Sequence, residues 1–367
     1  MKASGFLIII VALTIALIGI LSIYSSTYQK EASGWQLVYR RQILWVVLGL
    51  VLFFLLANFN YRRLWDASYL LYALVVFLLF LVFVLGAIRL GAQRWLRFGW
   101  FNFQPTELAK IVMVIFLAKY FSKKSSGDVS LLMTKFGILR AFVLPFIFVA
   151  IPMGLIIEQP DLGSAIVVLL IFLTMLYLAG IKLKYVMILA AIALISLPLF
   201  WNFLHDYQKD RLMVFLNPNV DPLGAGYTVI QSKIAIGSGG IFGKGWLAGT
   251  QSQLHFLPES HTDFIFATFA EQWGLIGSSA LILLYCALVR EGIRIGLDTH
   301  DYFGRLLAFG ISLMLGLQVF INIAMNLGLA PVVGIPLPLM SYGGSSVFTT
   351  FIALGILANI AKKRSVF

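Results

Sequence analysis

Long apolar runs that carry almost no charge restrict this chain more than any other feature of its sequence. The first run, Gly5 to Ser25, has no charged residue over 21 positions, and about 20 apolar residues suffice for a helix to cross a bilayer. It is too long for the apolar part of a signal peptide, so we expect it to be retained as a span. Ten such segments occur, at approximately 5–25, 42–58, 67–87, 105–121, 138–157, 162–180, 184–202, 264–289, 304–328 and 343–361.

These runs are continuous, whereas the strands of a transmembrane barrel alternate apolar and polar residues. We therefore expect no strands, and the fold class is an all-α polytopic membrane protein with ten transmembrane helices. Composition agrees, because 60% of the residues are hydrophobic and 11% are charged, compared with about 25% charged residues in a soluble domain.

Charge and cysteine content exclude several other classes. The formal net charge is +12, but the basic residues flank the apolar runs, which favours membrane orientation over nucleic-acid binding. Cys286 is the single cysteine, so no intrachain disulfide can form. The four histidines show no HExxH or similar spacing, which argues against a metal centre built from histidine.

An even number of spans places both termini on one side of the membrane. Basic residues are more numerous on that side once four residues of the longest loop are set aside, since long loops count little toward topology. Those four are Lys209, Arg211, Lys233 and Lys244. The sequence thus predicts one membrane domain, 1–367, with cytoplasmic termini and a large extracellular loop, about 203–263, between helices 7 and 8.

The long loop is expected to contain two short helices. They correspond to "YQKDRLMVFL" and "GAGYTVIQSKIAIG". The second would place Tyr227, Ile230 and Ile234 on one apolar face, which suits the membrane surface.

The end of this loop, "HFLPESHTDFIFA", places Glu259, His261 and Asp263 before an apolar run. One interpretation is a capping box, with Ser260 as the cap and Asp263 reaching back to it. The other is that Asp263 is a general base at the membrane boundary, where partial desolvation raises its pKa. The two interpretations are compatible, whereas Glu259 and His261 are expected mainly to shape the loop.

Further candidates lie at the ends of spans. Glu107 and Lys110 are three residues apart on one helical face. Ionisable groups near a span either mark function or form a structural ion pair that locks two helices together. Asp161 in "EQPDLGSA" could cap a helix or belong to an acidic outer site with Glu158, Glu259 and Asp263. Oxygen ligands of this kind suit Mg²⁺ or Mn²⁺.

Two glycine-rich segments complete the set. "GSGGIFGKGW" does not fit a Walker A loop, since Ser238 stands where the first glycine belongs, but its N–H groups could form an anion-binding nest. "SYGGSS", which begins with Ser341 and Tyr342, is a similar turn. Either segment could equally be a plain connector.

Several long motifs follow one another in a fixed order along the chain. They are "GAQRWLRFG", "FQPTELAK", "EQPDLGSA", "NPNVDPLGAGY", "QSKIAIGSGGIFGKGW", "GTQSQLHFLPESHTDFIFA" and "GIPLPLMSYGGSS". At these residues the chain resembles the SEDS family of bacterial cell-wall proteins, in the form of its rod-shape branch rather than its division branch. With the ten-span layout, the resemblance covers the whole chain.

The resemblance implies a peptidoglycan glycosyltransferase that polymerises lipid II during cell elongation. It implies a multi-pass protein of the bacterial cytoplasmic (inner) membrane with its active site on the outer face. A class B penicillin-binding protein is the implied partner, beside lipid II and membrane lipids. The family's functional residues fall on Asp263 as the essential aspartate, Glu107 and Lys110 as the intramembrane pair, Asp161 of the Pro-Asp and Trp95 as the loop tryptophan.

On this basis we expect Asp263 to deprotonate the 4-hydroxyl of the acceptor GlcNAc, which attacks the anomeric carbon of the donor MurNAc. The departing polyprenyl pyrophosphate needs charge neutralisation, from basic residues or from Mg²⁺ or Mn²⁺ held by Asp263 and Asp161. No organic cofactor is expected. Supporting or substrate-binding roles are expected for Arg94, Arg211, Lys233, Lys244, Glu259, His261, Ser341 and Tyr342.

Two other functions are compatible with the same residues. One is a lipid II flippase with the Glu107–Lys110 pair on a polar path through the membrane. The other is a scaffold that positions a penicillin-binding protein.

Overall fold

The computed structural model describes residues 3–28, 36–89, 92–99, 101–125, 137, 139–196, 206–221, 224–254 and 256–363. The start of the predicted segment 138–157, the end of 184–202 and parts of the loop 203–263 lie outside these ranges. The histidines at 205 and 255 also lie outside them.

Helices occur at each of the ten predicted apolar segments. They are α1 (Ala3–Thr27), α2 (Gln36–Asn58), α3 (Arg62–Leu85), α4 (Pro105–Ser125), α5 (Leu144–Glu158), α6 (Leu162–Leu178), α7 (Leu183–Ser196), α11 (Ile265–Leu297), α12 (Tyr302–Asn326) and α13 (Gly344–Lys363). Within the described ranges, seven helices are long and apolar enough to cross a membrane. The prediction of a polytopic helical membrane protein is confirmed, while the count of ten spans and their sidedness stay predictions.

A small sheet interrupts the helices between α3 and α4. Its antiparallel strands are β1 (Ala87–Arg89), β2 (Ala92–Phe98) and β3 (Phe101–Phe103), in the order β1-β2-β3. Gly99, with φ of 57°, permits the turn that joins β2 to β3. The expectation that the chain has no strands is therefore wrong here, because strands this short escape a search for runs of about 20 residues.

The long loop contains three α-helices and a 3₁₀ helix, Pro218–Val220, among the residues that the structure describes. The α-helices are α8 (Asp206–Leu216), α9 (Ala225–Ser238) and α10 (Thr250–Gln253). The first two match the predicted short helices. Val229, Ser232 and Ala235 form the buried face of α9, whereas Ile234 of the predicted apolar face is 44% exposed. The packing face of α9 thus differs from the predicted apolar face, whose place at the membrane surface stays a prediction.

The centre of the bundle is α13, which packs against α2, α1 and α4. Phe351 of α13 is fully buried, and any side chain at Gly49 of α2 would collide with its ring. This close approach of α2 to α13 fixes the centre of the bundle. The residues between α12 and α13 are thereby held over the start of α11, where Asp263 lies.

Candidate active site

Asp263 lies just before α11 but does not cap it. The helix begins at Ile265, and its N-cap residue Phe264 makes no side-chain capping bond. The N–H groups of Thr262 and Phe264 donate to the carbonyl of Glu259, so the chain turns tightly through Asp263 before the helix begins. The predicted capping box is therefore wrong, because a turn occupies its four residues. The Asp263 carboxylate is left to face other groups.

Two asparagines of α12 hold the backbone at this turn. The side-chain amides of Asn322 and Asn326 donate to the carbonyl of Asp263 at 3.1 and 3.0 Å. The Asn326 Oδ1 accepts from the N–H of Ala267 in the first turn of α11 at 3.2 Å. Sequence analysis missed both residues, since an asparagine within an apolar run has no spacing signal of its own.

The Asp263 carboxylate meets two guanidinium groups above Gly334. A methyl group placed on Gly334 would lie 3.5 Å from Asp263 Oδ2, 3.9 Å from Arg94 Nη1 and 4.0 Å from Arg211 Nη1. Gly334 has a φ of 72°, a conformation that favours glycine. Four segments thus supply one residue each to a single cluster. They are strand β2, helix α8, the turn before α11 and the segment after α12.

The surroundings of Asp263 change its acidity. Burial raises the pKa of Asp263 to about 6 from its ordinary value of 3.8, and the Glu259 carboxylate adds to the rise. Arg211 and Arg94 act in the opposite direction, and Asp161 raises the pKa further. The group is therefore mostly ionised at neutral pH and is a stronger base than an exposed carboxylate.

Main-chain carbonyls orient the two arginines. Arg94 donates through Nε to the carbonyl of Gln159 at 3.2 Å and through Nη2 to the carbonyl of Pro160. Arg211 donates through Nη1 to the carbonyl of Val332 at 2.9 Å. Bonds to neutral carbonyls fix the direction of a guanidinium without cancelling its charge.

Asp161 has the capping role that Asp263 lacks. It is the N-cap of α6, and Oδ1 accepts from the N–H of Ser164 at 3.1 Å. Its Oδ2 accepts from Ser164 Oγ, Thr106 Oγ1 and Gln104 Nε2 at 2.9 to 3.2 Å. The carboxylate is 1% exposed and joins the start of α4 to the start of α6. Since four donors occupy its oxygens, Asp161 fits a cap better than a metal ligand.

Glu107 and Lys110 form an ion pair within α4. Lys110 Nζ lies 2.7 Å from Glu107 Oε1, and the two side chains are 0% and 3% exposed. The shared helical face predicted from their spacing is therefore present. The pair lies within one helix and does not by itself join two helices. In this respect it differs from the structural alternative, in which the pair locks two helices together. Thr106, which binds Asp161, immediately precedes it.

The glycine-rich segment "GSGGIFGKGW" packs against a break in α11 at Gly274, whose φ is 62°. The N–H groups of Lys244 and Gly245 donate to the carbonyls of Glu271 and Gln272, both at 3.0 Å. These donors are committed to the protein, so the predicted anion-binding nest is wrong for this part of the segment. The glycines serve close backbone packing instead.

Lys244 is also committed. Its Nζ lies 2.7 Å from Oε1 of Glu271, which is fully buried and also accepts from Thr250 Oγ1 and the N–H of Gln251. Sequence analysis missed Glu271. Lys233 is exposed and lies over Gly328, just past the end of α12. Neither lysine is among the groups that converge on Gly334.

The remaining predicted residues support the turn that carries Asp263. Buried Ser341 donates through Oγ to the carbonyl of Thr262 at 2.6 Å, and the N–H of Tyr342 donates to the carbonyl of His261 at 2.9 Å. The rings of His261 and Tyr342 are 5.8 Å apart. Glu259 is exposed, and its Oε2 accepts from Thr262 Oγ1 at 2.9 Å. Half-buried Trp95 follows Arg94 on β2.

Metal-binding capacity at this site rests on the exposed Glu259 carboxylate, because Asp263 faces two guanidinium groups. Within the described ranges, no group of three or more His, Cys, Asp or Glu side chains could hold a metal ion. Glu259 and Asp263 interact electrostatically, and Mg²⁺ is commonly held by one or two carboxylates together with water and substrate phosphates. The residues present fit a cation that is shared with a phosphate-bearing substrate.

Comparison with known proteins decides the family. Residues 5–366 match the FtsW/RodA/SpoVE family of cell cycle proteins. The chain belongs to this family. It is 42% identical to the peptidoglycan glycosyltransferase MrdB of Escherichia coli K12, over 94% of this chain and 91% of the relative. It is 35% identical to the probable peptidoglycan glycosyltransferase FtsW of Geobacter sulfurreducens, over 97% of this chain and 94% of that one.

Solved structures of the family share the fold. A chain from a peptidoglycan synthase complex that coordinates polymerization and crosslinking is similar with a TM-score of 0.81 and 34% identity, over 100% of this chain and 99% of that one. The rod shape determining protein RodA of Thermus thermophilus is similar with a TM-score of 0.71 and 28% identity, over 98% and 96% of the two chains. The resemblance to the SEDS cell-wall family, and to its rod-shape branch, is confirmed.

Proposed function

We propose that this chain is a peptidoglycan glycosyltransferase that polymerises lipid II, with Asp263 as the general base. One observation carries the proposal. The Asp263 carboxylate is released from helix capping, is raised in pKa to about 6, and faces two guanidinium groups above a glycine. A base and a pair of cations in one cluster suit a reaction that removes a proton and expels an anion.

The proposed reaction begins at the acceptor sugar. The Asp263 carboxylate takes the proton of the GlcNAc 4-hydroxyl, and that oxygen attacks the anomeric carbon of the donor MurNAc. The new C–O bond forms as the bond from this carbon to the pyrophosphate oxygen breaks, and the configuration inverts. A positioned base of this kind contributes roughly 10²–10⁴-fold to the rate.

Arg94 and Arg211 are the best placed groups to stabilise the leaving pyrophosphate. Both reach the Gly334 position with a terminal guanidinium nitrogen. A guanidinium group can bind phosphate through two parallel N–H···O hydrogen bonds. Lys244 is less suited, because it neutralises the buried carboxylate of Glu271. Lys233 lies over Gly328, past the end of α12.

We further propose that Mg²⁺ or Mn²⁺ assists at this site. Glu259 is the residue that would hold the ion, because the oxygens of Asp161 bind Gln104, Thr106 and Ser164 and the Asp263 carboxylate must stay free to accept the proton. When bound, the ion would add charge neutralisation for the pyrophosphate.

The setting of the reaction follows from the lipid substrate. We propose that the protein lies in the bacterial cytoplasmic membrane with the Asp263 cluster at the outer face, where lipid II keeps its sugar beside the bilayer. A class B penicillin-binding protein is the proposed partner. The similarity to a chain of a complex that coordinates polymerization and crosslinking supports this pairing.

Polymer formation from labelled lipid II by the purified protein tests the proposal. Asp263→Asn keeps the shape of the side chain but removes the base, so we expect a rate at least about 10²-fold lower, with and without Mg²⁺ or Mn²⁺. Asp206→Asn is the control, since Asp206 is exposed and paired only with Lys209 in the described contacts.

The alternatives give different results. Lipid II scrambling in proteoliposomes without polymer would indicate a flippase. Normal polymerisation by a folded Asp263→Asn protein would remove Asp263 from the chemistry. A scaffold function would be favoured if the purified protein formed no polymer and the partner synthase bound equally well to the unaltered and the Asp263→Asn proteins.

A further inference from the structure

We infer that Asn322 and Asn326 are positioning residues that set the place of the Asp263 carboxylate. The inference rests on the proposed function and concerns how the base is held. Both side chains are fully buried, and they lie one helical turn apart on α12. Their four-residue spacing places both amides on the same face of that helix.

The two amides bind the backbone of Asp263 from one side. Asn322 Nδ2 donates to the carbonyl of Asp263 at 3.1 Å and to the carbonyl of Ile335 at 2.8 Å. Asn326 Nδ2 donates to the same Asp263 carbonyl at 3.0 Å and to the carbonyl of Asn322 at 2.8 Å. Each amide thus has an acceptor for both of its N–H hydrogens, which is its full donor capacity.

The orientation of the Asn326 amide is determined by its neighbours. Its Oδ1 accepts from the N–H of Ala267, while its Nδ2 faces carbonyl oxygens. The reverse orientation would place an oxygen against those carbonyls and an NH₂ group against an N–H. Asn326 therefore caps α11 from a neighbouring helix, where the N-cap residue Phe264 supplies no side-chain acceptor.

The same contacts join the base to the opposite wall of the cluster. Ile335 follows Gly334, above which the Asp263 carboxylate and the two guanidinium groups converge. Since Asn322 binds the carbonyls of Asp263 and Ile335 together, it fixes the spacing between the base and the segment that contains Gly334. A shift of about 1 Å in a reacting group can cost roughly 10²-fold in rate.

Asn359 of α13 offers a matched control at the far end of the bundle. It is 1% exposed, its Oδ1 accepts from the N–H of Tyr61 at 3.1 Å, and its Nδ2 donates to the carbonyl of Ala57 at 2.8 Å. It therefore makes the same kind of buried backbone bridge, between α2 and α3, without contact to the Asp263 turn. A leucine there should cost stability in the same way.

The test compares Asn322→Leu, Asn326→Leu and Asn359→Leu in the full-length protein, with kcat, KM and the pH profile of lipid II polymerisation. We expect the first two to lower kcat about 10- to 100-fold, with KM within about twofold, and to move the acid limb of the profile. Asn359→Leu should lower thermal stability and keep the kcat and the acid limb of the unaltered protein.

A second pair of variants covers the case in which the leucine proteins do not fold. Asn322→Ala and Asn326→Ala leave room for a water that restores part of the hydrogen bonding, so the same changes should appear at smaller size. The inference is overturned if folded Asn322 and Asn326 variants keep both the kcat and the acid limb, or if Asn359→Leu lowers kcat equally.

Asp263→Asn in the same assay separates this inference from the proposed function. If Asp263→Asn polymerises normally, the proposed function fails, and the inference fails with it. If Asp263→Asn is inactive while the Asn322 and Asn326 variants behave like Asn359→Leu, only the positioning inference fails.

Discussion

Glu259 provides a direct way to test the acidity of the proposed base. Its carboxylate is one of the groups that raise the pKa of Asp263, second only to burial. Glu259→Gln removes that negative charge and keeps the size of the side chain, so the pKa of Asp263 should fall. Because Glu259 is exposed, the change should not disturb the core.

The pH profile of the unaltered protein sets the size of the effect. Only the ionised carboxylate can accept a proton, so activity is lost as the pH falls through the pKa of Asp263, which is about 6. At pH 5 about a tenth of the carboxylates would be ionised, compared with about 97% at pH 7.5. A carboxylate at the ordinary value would be about 94% ionised at pH 5.

The assay is the initial rate of polymer formation from labelled lipid II between pH 4.5 and 8. We expect the unaltered protein to lose about tenfold in kcat/KM between pH 7.5 and pH 5. Glu259→Gln should keep more of its own maximal rate at pH 5, since its acid limb lies at lower pH. Asp206→Asn, which removes an exposed acid next to Lys209, should have the profile of the unaltered protein.

Two results would refute this reasoning. A rate at pH 5 within a factor of about 1.5 of the plateau would show that no group with a pKa near 6 limits the reaction. An acid limb that moves to higher pH in Glu259→Gln would show that Glu259 does not act on the base through its charge. Retention of thermal stability at pH 5 excludes acid unfolding as the cause of the lost rate.

Three further changes address other parts of the structure. Gly334→Ala forces a side chain into φ of 72° and places a methyl group against the cluster, so we expect a large loss of kcat. Gly180→Ala is the control, because Gly180 has φ of 88° and open space around it. Both changes should lower stability by about 1–2 kcal/mol, but Gly180→Ala should keep its kcat. Lys110→Met leaves Glu107 buried without its cation and should destabilise the protein by about 3–5 kcal/mol in thermal unfolding, whereas replacing both residues by leucine should restore most of it. Lys244→Met should lower stability by about 1–3 kcal/mol with little change in KM for lipid II, and a selective rise in KM would instead assign Lys244 to the pyrophosphate.

Local patterns predicted the helices well because the signal for each helix lies within the helix itself. A continuous apolar run reports the transfer free energy of one segment into the bilayer, whatever the rest of the chain does. The spacing of Glu107 and Lys110 likewise determines that they meet on α4. Asp161 was correctly considered as a cap, since a cap depends only on the next few residues.

Errors arose where a local pattern competed with contacts from distant segments. The "SHTD" run satisfies the capping-box pattern, yet Asn326 of α12 caps α11 and the turn from Glu259 occupies the run. The glycines before Lys244 suggested an anion nest, but their place against the broken helix at Gly274 depends on how the loop folds back. Strands β1 and β3 have three residues each, which carry too little periodicity to be recognised, and the pairing of β2 with them depends on how the chain turns back.

Local sequence patterns are enough to predict a helical membrane protein, the shared face of Glu107 and Lys110 on α4, and an acid at the mouth of α11. They single out Asp263 only through resemblance to a family. Only the packing of distant segments brings Arg94, Arg211 and Gly334 to that acid and places Asn326 as a cap of α11. The reason is physical: hydrophobicity and periodicity are properties of one segment. The charge, burial and hydrogen bonds that adjust a carboxylate come from segments that only packing brings together.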